Sequence, residues 1–140
     1  MSFKSKITKT IRWGDLDPLG IVFYPRFYEW MDEASHVLFN RIGLNLVKLL
    51  KEKELIFALA ETRAIYLKPL MYQDKIFIIS YIKKILDKII IIKHEIIHLK
   101  DNAISVEGYE KRICVKQLSD KTLKAITIPK NVRKILEKEK

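Results

Sequence analysis

The sequence predicts an α+β fold in which one long helix packs on a curled antiparallel sheet of about five strands. Three observations predict it. A strand-like segment comes first, a single long amphipathic helix spans residues 25–43, and four β-rich segments with short connections fill most of the remaining chain. Strands joined by short turns pair antiparallel, and one helix followed by a run of strands is typical of the α+β class.

The first element is a short strand over residues 7–13, where apolar and polar side chains alternate up to Gly14. The helix follows. Pro25 suits a first helical position, because its missing N–H would be unpaired there and its φ already matches a helix. Apolar residues then recur at three- and four-residue steps, which marks the buried face: Phe27, Trp30, Met31, Ala34, Leu38 and Ile42.

The rest of the chain reads mainly as strands. After a short helix over residues 46–53, segments rich in Ile, Val, Tyr and Thr span residues 57–70, 75–85, 88–99 and 103–117. Turn-forming residues separate them, so these four strands are expected to be antiparallel neighbours. The solid apolar run 89–92 predicts a central strand covered on both faces. A last strand over residues 125–128 precedes a helix opened by Pro129.

Length and composition predict one domain over residues 1–140, with a basic segment at 121–140. A chain of 140 residues that is 49% hydrophobic can bury a core. One helix cannot cover both faces of an Ile-rich sheet, so a homodimer or homotetramer is expected to hide the remaining apolar surface.

The charge is strongly positive and uneven. The net charge is +10, and residues 1–40 carry equal numbers of acidic and basic side chains, so the excess lies in residues 41–140. An anionic partner is therefore expected.

Cys114 is the only cysteine, and no apolar leader follows Met1. These features favour a reducing, cytoplasmic location without a disulfide.

The chemistry is expected in the loop over residues 14–25, where Asp15 and Asp17 precede the long helix. A helix start presents free N–H groups and a positive dipole end, which can hold a developing oxyanion. The N–H of Tyr24 is the preferred donor, since Pro25 has none. An adjacent Asp can attack the same carbonyl carbon or activate water. The alternative is ordinary turn and capping chemistry, which Asp-x-Asp-Pro commonly provides.

Other chemistries fit the sequence less well. Two Asp residues supply only part of the coordination shell of a metal ion, and no acidic cluster later in the sequence supplies the remaining ligands. The three histidines favour structural or solvent-facing roles, and Cys114 favours a buried, inert thiol. Neither a metal nor another cofactor is expected.

This segment closely resembles the 4-hydroxybenzoyl-CoA thioesterase family of hotdog-fold acyl-CoA thioesterases, and is similar to its Tol-Pal-associated branch. The residues that carry the resemblance run Asp15-Leu16-Asp17-Pro18-Leu19-Gly20-Ile21-Val22-Phe23-Tyr24-Pro25, continuing through Phe27-Tyr28-Glu29-Trp30-Met31. The resemblance implies hydrolysis of an acyl-CoA to free CoA and a carboxylic acid, without a cofactor.

Roles follow position by position from the resemblance. Asp17 matches the catalytic carboxylate, as nucleophile or general base, and Tyr24 matches the residue whose N–H polarises the thioester carbonyl. Gly20 keeps the loop close to the substrate, and Asp15 is expected to shape the loop. Further substrate contacts are expected from Val22, Phe23, Phe27 and Tyr28.

The resemblance also implies an active site between two subunits, with the partner supplying a strand near Glu61 and Thr62. The phosphates of CoA are expected to meet Lys83, Lys84 and Lys88, although Asp87 beside them would repel phosphate. The basic segment 121–140 is a second candidate for this contact.

Two competing functions remain open. A basic face also suits the thioester of an acidic acyl carrier protein. A non-enzymatic module that binds nucleic acid or an anionic membrane would explain the charge, but residues 121–140 lack the interleaved aromatics that nucleic-acid binding uses. The first expectation is therefore an acyl-CoA hydrolase that does not bind nucleic acid, with peripheral membrane or carrier-protein association as a further possibility.

Overall fold

A computed structural model describes residues 3–140. Its elements, in chain order, are β1 Ser5–Thr10, a short 3-10 helix Trp13–Asp15, α1 Pro25–Arg41, α2 Leu46–Lys53, β2 Leu55–Tyr66, β3 Lys75–Ile85, β4 Ile89–His98, β5 Ile104–Gln117, β6 Leu123–Ala125 and α3 Lys130–Glu139. The predicted α+β class is confirmed, with six strands instead of about five.

All strand pairs are antiparallel, and the main sheet has the order β1-β3-β4-β5-β2, with β6 paired to the end of β5. The expectation that all four long strands are sequential neighbours is wrong for β2 and β3. β1 occupies the free side of β3, and β2 crosses the molecule to pair with β5. β2 therefore forms one edge of the main sheet.

The long helix α1 lies on one face of the sheet because its apolar stripe needs cover. Phe27, Met31, Ala34 and Leu38 are all buried. Arg41 is its last residue, and Gly43 follows with φ +89°, a conformation that favours glycine. α2 begins where the Asn45 side chain accepts a hydrogen bond from the Lys48 N–H at 2.8 Å.

The strands bury alternate residues against α1. On β4, Ile90 and Ile92 are fully buried, whereas Ile89 and Ile91 point to the other face and are half-buried. The expectation that both faces of this run are covered is thus wrong within residues 3–140, because the helices supply cover mainly on one side.

Three boundaries differ from the predictions. The first strand ends at Thr10, because Trp13–Asp15 form a 3-10 helix. β2 ends at Tyr66, since the N–H groups of Leu67 and Lys68 both donate to the carbonyl of Ser105 and the chain leaves the strand ladder. The last strand lies at Leu123–Ala125, ahead of the predicted position.

The basic C-terminal segment is part of the packed structure. α3 begins directly after Pro129, as predicted, and Val132 and Leu136 join the core beneath Leu38 and Phe57. Within residues 3–140, no helix is long and apolar enough to cross a membrane.

Candidate functional site

Asp15 anchors the loop that precedes α1. Its side chain is only 3% exposed, and its carboxylate accepts a hydrogen bond from the Arg12 N–H at 2.8 Å. Its backbone carbonyl accepts another from the Phe23 N–H at 2.8 Å, and the Arg26 guanidinium lies 3.5 Å from the carboxylate. These contacts join the two ends of the loop and are those of a loop-shaping residue.

Asp17 lies in a tight turn within this loop. Its Oδ1 accepts a hydrogen bond from the Leu19 N–H at 2.8 Å, and its backbone carbonyl accepts one from the Gly20 N–H at 2.9 Å. Gly20 has φ +78°, which favours glycine. The other carboxylate oxygen, Oδ2, accepts no hydrogen bond from residues 3–140. The turn therefore holds the side chain by one oxygen and leaves the other available.

Tyr24 starts α1 with helical backbone angles, φ −54° and ψ −33°. Pro25 has no N–H, and the N–H groups of Arg26 and Phe27 donate to the carbonyls of Phe23 and Tyr24. The Tyr24 N–H donates to no carbonyl of the described chain. It is thus a free donor at the positive end of a 17-residue helix.

Asp17 and Tyr24 line the same cavity, whose volume is about 420 Å³. The other lining residues are mostly apolar or aromatic: Ile21, Val22, Phe27, Tyr66, Leu67, Lys68, Pro69 and Leu70. Asp17 and Tyr24, the residue with the free N–H, thus border a mainly apolar space, which is the composition of a small-molecule site.

Tyr66 forms the far wall of this cavity, on the edge strand β2. Its ring lies 5.7 Å from the ring of Phe27, centroid to centroid. Burial, followed by a hydrogen bond with Tyr28, raises the pKa of the Tyr66 hydroxyl. The hydroxyl therefore stays protonated at neutral pH and remains a neutral group in the wall.

The structure places the predicted substrate-contacting residues in three different surroundings. Val22 and Phe27 line the cavity. Gly20 lies in the Asp17 turn, Phe23 packs edge-on against Tyr24 at 5.6 Å, and Tyr28 lies beside Tyr66, whose hydroxyl pKa it helps to raise. These three residues do not line the cavity.

Sequence reasoning missed the segment from Tyr66 to Leu70. The predicted strand over residues 57–70 is wrong beyond Tyr66, because the chain leaves the sheet there and reaches the Asp17 loop, where the Val22 N–H donates to the Leu70 carbonyl at 2.9 Å. Pro69 was the available clue, because proline is poorly tolerated inside a paired strand.

A second cavity, of about 380 Å³, lies on the face of the sheet opposite α1. Its lining is predominantly basic: Glu61, Arg63, Lys83, Lys84, Ile91, Tyr109 and Lys111. We call it the basic cavity. The Lys83 ammonium lies 5.1 Å from the centre of the Tyr109 ring, and Lys111 lies 3.8 Å from Glu61. Of the three predicted phosphate contacts, Lys88 is outside this lining.

Glu61 and Thr62 do not line the Asp17 cavity of the same chain. The register pairs Glu61 with Lys111 and Thr62 with Glu110, so they point to opposite faces of β2. Asp87, the predicted source of repulsion, is occupied elsewhere, since its carboxylate accepts a hydrogen bond from Thr127 at 3.2 Å.

The remaining candidate groups lie apart from both cavities. Cys114 is fully buried, and burial raises the pKa of its thiol. His94 is fully buried as well, between Ser80 and Ser35. Within residues 3–140, no three His, Cys, Asp or Glu side chains converge as a metal site would require.

Relatives of known structure share this architecture. The gentisyl-coenzyme A thioesterase BH1999 is 32% identical, with a TM-score of 0.79 over 92% of this chain and 99% of that one. The 4-hydroxybenzoyl-CoA thioesterase of Pseudomonas sp. strain CBS-3 is 23% identical, with a TM-score of 0.84 over 94% of this chain and 98% of that one. The second likeness shows the fold alone, which is the predicted hotdog fold.

Sequence comparison agrees with the structural comparison. The curated 4-hydroxybenzoyl-CoA thioesterase from the same Pseudomonas strain is 47% identical over 34 residues, a match that spans 24% of this chain and 24% of that relative. The family model described as the thioesterase-like superfamily matches residues 11–136. The predicted resemblance to 4-hydroxybenzoyl-CoA thioesterases is confirmed, while the Tol-Pal-associated branch stays a prediction. The chain belongs to the thioesterase-like superfamily and stands among its thioester hydrolases.

Proposed function

We propose that this protein hydrolyses the thioester bond of an acyl-CoA, releasing free CoA and a carboxylic acid. The observation that carries the proposal is the shared lining of one cavity by the Asp17 carboxylate and the start of α1 at Tyr24. Acyl transfer to water needs an attacking group and a donor for the developing oxyanion. The relatives named for gentisyl-CoA and 4-hydroxybenzoyl-CoA hydrolysis support the same chemistry.

In this mechanism the Tyr24 N–H binds the thioester carbonyl oxygen. The helix dipole adds a positive potential at that point, and both effects grow as negative charge develops on the oxygen. Because the donor belongs to the backbone, its position is set by α1 and not by a side-chain rotamer. It therefore needs little rearrangement when the carbonyl carbon becomes tetrahedral.

Asp17 supplies the attacking group in one of two ways. As a nucleophile, its carboxylate oxygen bonds to the carbonyl carbon and the C–S bond breaks, which gives a mixed anhydride and the CoA thiolate; water then cleaves the anhydride. As a general base, it accepts a proton from water, whose oxygen bonds to the same carbon; the C–S bond then breaks, which gives the carboxylic acid and the CoA thiolate, and the proton held by Asp17 passes to the thiolate. Either role suits a carboxylate with Oδ2 free and Oδ1 held by Leu19.

The acyl group is proposed to occupy the Asp17 cavity. Val22, Phe27 and Tyr66 give it an apolar and aromatic wall, and a volume of about 420 Å³ is within the range of small-molecule sites. Tyr66 adds a neutral hydroxyl at the rim. This composition suits an aryl or short acyl group.

The CoA phosphates are proposed to meet the basic cavity through Lys83 and Lys84. Arg63 and Lys111 add positive charge there, and Asp87, the expected source of repulsion, is not among the lining residues. Lys88 lies outside this lining and is a weaker candidate.

A homodimer with its sites between subunits is proposed for two reasons. β2 is an edge strand, which leaves backbone groups unpaired and open to a second strand. Its exposed apolar side chains also need cover, among them Leu59 and Tyr66, each at 48% exposure, and Leu67 directly after the strand is 53% exposed. A second copy paired along β2 would cover the open wall of the Asp17 cavity and bring its own Glu61 and Thr62 nearby.

The decisive experiment measures thiol release from a panel of short aliphatic, long aliphatic and aromatic acyl-CoAs. Asp17→Asn keeps the shape of the side chain but removes its charge, so turnover is expected to fall at least a hundredfold, on the scale of a lost catalytic group. Acyl-CoA binding and the unfolding midpoint should stay close to wild type. Asp120→Asn is the matched control, because that aspartate lies in an exposed turn with Thr122.

The same panel distinguishes the alternatives. Offering each acyl group on CoA and on acyl carrier protein shows which thioester gives the higher kcat/KM. A binding module instead of an enzyme would show no thiol release from any thioester, together with salt-sensitive binding to nucleic acid or anionic vesicles. Wild-type levels of turnover in Asp17→Asn would remove Asp17 from the mechanism.

A further inference from the structure

Six polar side chains form a continuous hydrogen-bonded chain between α1 and the sheet. Four are buried almost completely, at 0 to 1% exposure, and a fifth is 4% exposed. In order along the chain, they are Ser80, His94, Ser35, Glu110, Arg112 and Asp32. We call them the buried polar chain. None of them lines the Asp17 cavity.

The first half of the buried polar chain links β3, β4 and α1. The Ser80 hydroxyl lies 2.7 Å from His94 Nδ1, and His94 Nε2 lies 3.2 Å from the Ser35 hydroxyl. The Ser35 hydroxyl donates to the Glu110 carboxylate on β5. Ser35, on α1, is thus held between two strands.

The second half returns from β5 to α1. The Arg112 Nε donates to Glu110 Oε1 at 3.1 Å, and its Nη2 donates to Asp32 Oδ1 at 2.8 Å. A third donor, Nη1, reaches the carbonyl of Phe57 on β2 at 3.2 Å. α1 is therefore attached to the sheet at two residues, Ser35 and Asp32, one turn apart.

A single hydrogen-bonding direction satisfies the first half. With a proton on Nε2, His94 donates to Ser35, and Ser35 in turn donates to Glu110. Glu110 then also accepts from Arg112. These hydrogen bonds form together only when α1 has one position along its axis and one rotation about that axis.

Ser35, His94 and Glu110 do not form a hydrolytic triad. All three are at most 1% exposed, and they line neither of the two cavities described above. No substrate carbonyl reaches the Ser35 hydroxyl. A function for these residues has to act through the position of α1.

The sheet leaves room for an α1 side chain beside His94. A Cβ on Gly108, which precedes Glu110 on the same face of β5, would overlap the sulfur of Met31 on α1 and lie 3.5 Å from His94 Cβ. The absence of a side chain at Gly108 therefore lets the Met31 side chain pack against the sheet next to the buried polar chain.

Apolar packing alone fixes the position of a helix less precisely than these hydrogen bonds do. Apolar contacts are non-directional, so a helix can slide or rotate by a fraction of an ångström at little cost. A buried hydroxyl or carboxylate that loses its partner costs much more. The other polar contacts of α1, such as Lys9 with Glu33 and Arg41 with Ser5, involve side chains that are at least partly exposed at one end.

We propose that Ser35 and Glu110 are positioning residues that fix α1 on the sheet and so place the Tyr24 N–H against the thioester carbonyl. Ser35 lies ten residues after Pro25, about 15 Å along a rigid helix at about 1.5 Å per residue. A small displacement at Ser35 is thereby transmitted to the helix start. The inference rests on the proposed function for its activity readout, because it assigns how the oxyanion donor is held.

The test compares two variants, in each of which a buried serine is replaced by alanine and one hydroxyl oxygen is lost. Ser35→Ala breaks the buried polar chain, whereas Ser105→Ala removes a buried hydroxyl on β5 that has no hydrogen-bond partner in the described chain. Ser35→Ala is expected to lower kcat by about a hundredfold, as a misplaced catalytic group does, with KM within about twofold. Ser105→Ala should leave kcat unchanged. Both variants are assayed well below their unfolding temperatures.

Two further measurements complete the test. Glu110→Gln with Ser35→Ala forms a double-mutant cycle, in which the losses in log kcat should be strongly non-additive, because both changes break the same chain. Backbone amide exchange over residues 23–29 should be faster in Ser35→Ala than in wild type or Ser105→Ala. This readout does not need turnover, so the proposal stays testable if no acyl-CoA is hydrolysed.

The outcomes separate the two proposals. A wild-type protein without thioesterase activity, whose amide exchange at the start of α1 still depends on Ser35, would overturn the proposed function and keep the positioning role. An active wild type whose Ser35→Ala variant loses only thermal stability, with kcat and amide exchange equal to those of Ser105→Ala, would overturn the positioning role.

Discussion

Gly108 on β5 faces Met31 on α1 so closely that a Cβ at Gly108 would overlap the Met31 sulfur. The helix and the sheet therefore meet at a point where only a glycine fits without rearrangement. The same approach brings the middle of α1 within reach of the buried polar chain.

Gly108→Ala is accordingly expected to destabilise the fold by about 1 kcal/mol, the low end of the cost of overpacking a core, because the atom in the way is near the end of the flexible Met31 side chain. Met31 must swing away or α1 must lift. Urea unfolding of the variant measures this loss. Gly14→Ala is the matched control, because a Cβ there would meet nothing within 4 Å, and its stability should change by no more than about 0.5 kcal/mol. Equal stability of the two variants would contradict the close approach.

A pair of glycines tests the Asp17 turn. Gly20 and Gly43 both have positive φ, +78° and +89°, and a Cβ on either would meet no atom within 4 Å. An alanine at each position should cost about 1–2 kcal/mol of stability, the penalty for this conformation. Only Gly20→Ala should lower kcat, by about tenfold or more, because Gly20 shapes the turn that holds the carboxylate. Steady-state kinetics of both variants measures this difference. Equal kcat values in the two variants would show that the Gly20 turn does not affect the site.

Acid should weaken the fold through Glu110. Burial alone would raise its pKa, but the hydrogen bond and charge of His94, together with Arg112 and Ser35, outweigh it and lower the pKa below the ordinary value of 4.5. A lowered folded-state pKa means that the charged Glu110 stabilises the fold above the unfolded-state pKa, and that this stabilisation is lost as the pH falls through the folded-state pKa.

Glu110→Gln should therefore be less stable than wild type at pH 7, by about 3 kcal/mol, since Arg112 loses its buried partner. The difference between the two proteins should shrink as the pH falls below 4.5. Urea unfolding from pH 3 to 8 measures it. A difference that stays constant or grows in acid would show that the pKa of Glu110 is not lowered by folding.

The basic cavity should govern affinity for CoA but not chemistry. Replacing Lys83 and Lys84 by alanine is expected to raise KM for an acyl-CoA about tenfold, from about 0.7 kcal/mol for each exposed charge contact. The kcat should change little, because these residues lie away from the Asp17 cavity. The effect should shrink in high salt. Lys51→Ala, at an exposed position of α2, is the control; an equal rise in KM there would point to general positive charge instead of a site.

The sequence by itself determined the local elements and the loop that joins Asp17 to Tyr24. The bounds of α2 and β3 match the predictions at both ends, because a capping Asn45 and turn-forming residues mark them locally. The neighbourhood of Asp17 and Tyr24 was predictable too, since only six residues separate them and a tight turn at Gly20 keeps the connection short.

Only the tertiary structure decided how distant segments meet. The pairing of β2 with β5, the wall from Tyr66 to Leu70 and the contact of Ser35 with Glu110 join residues 40 or more positions apart in the chain. Hydrophobic periodicity shows which face of a strand is buried but not which strand lies beside it. That choice depends on the packing of the whole core, where β1 takes the side of β3 that β2 would otherwise occupy.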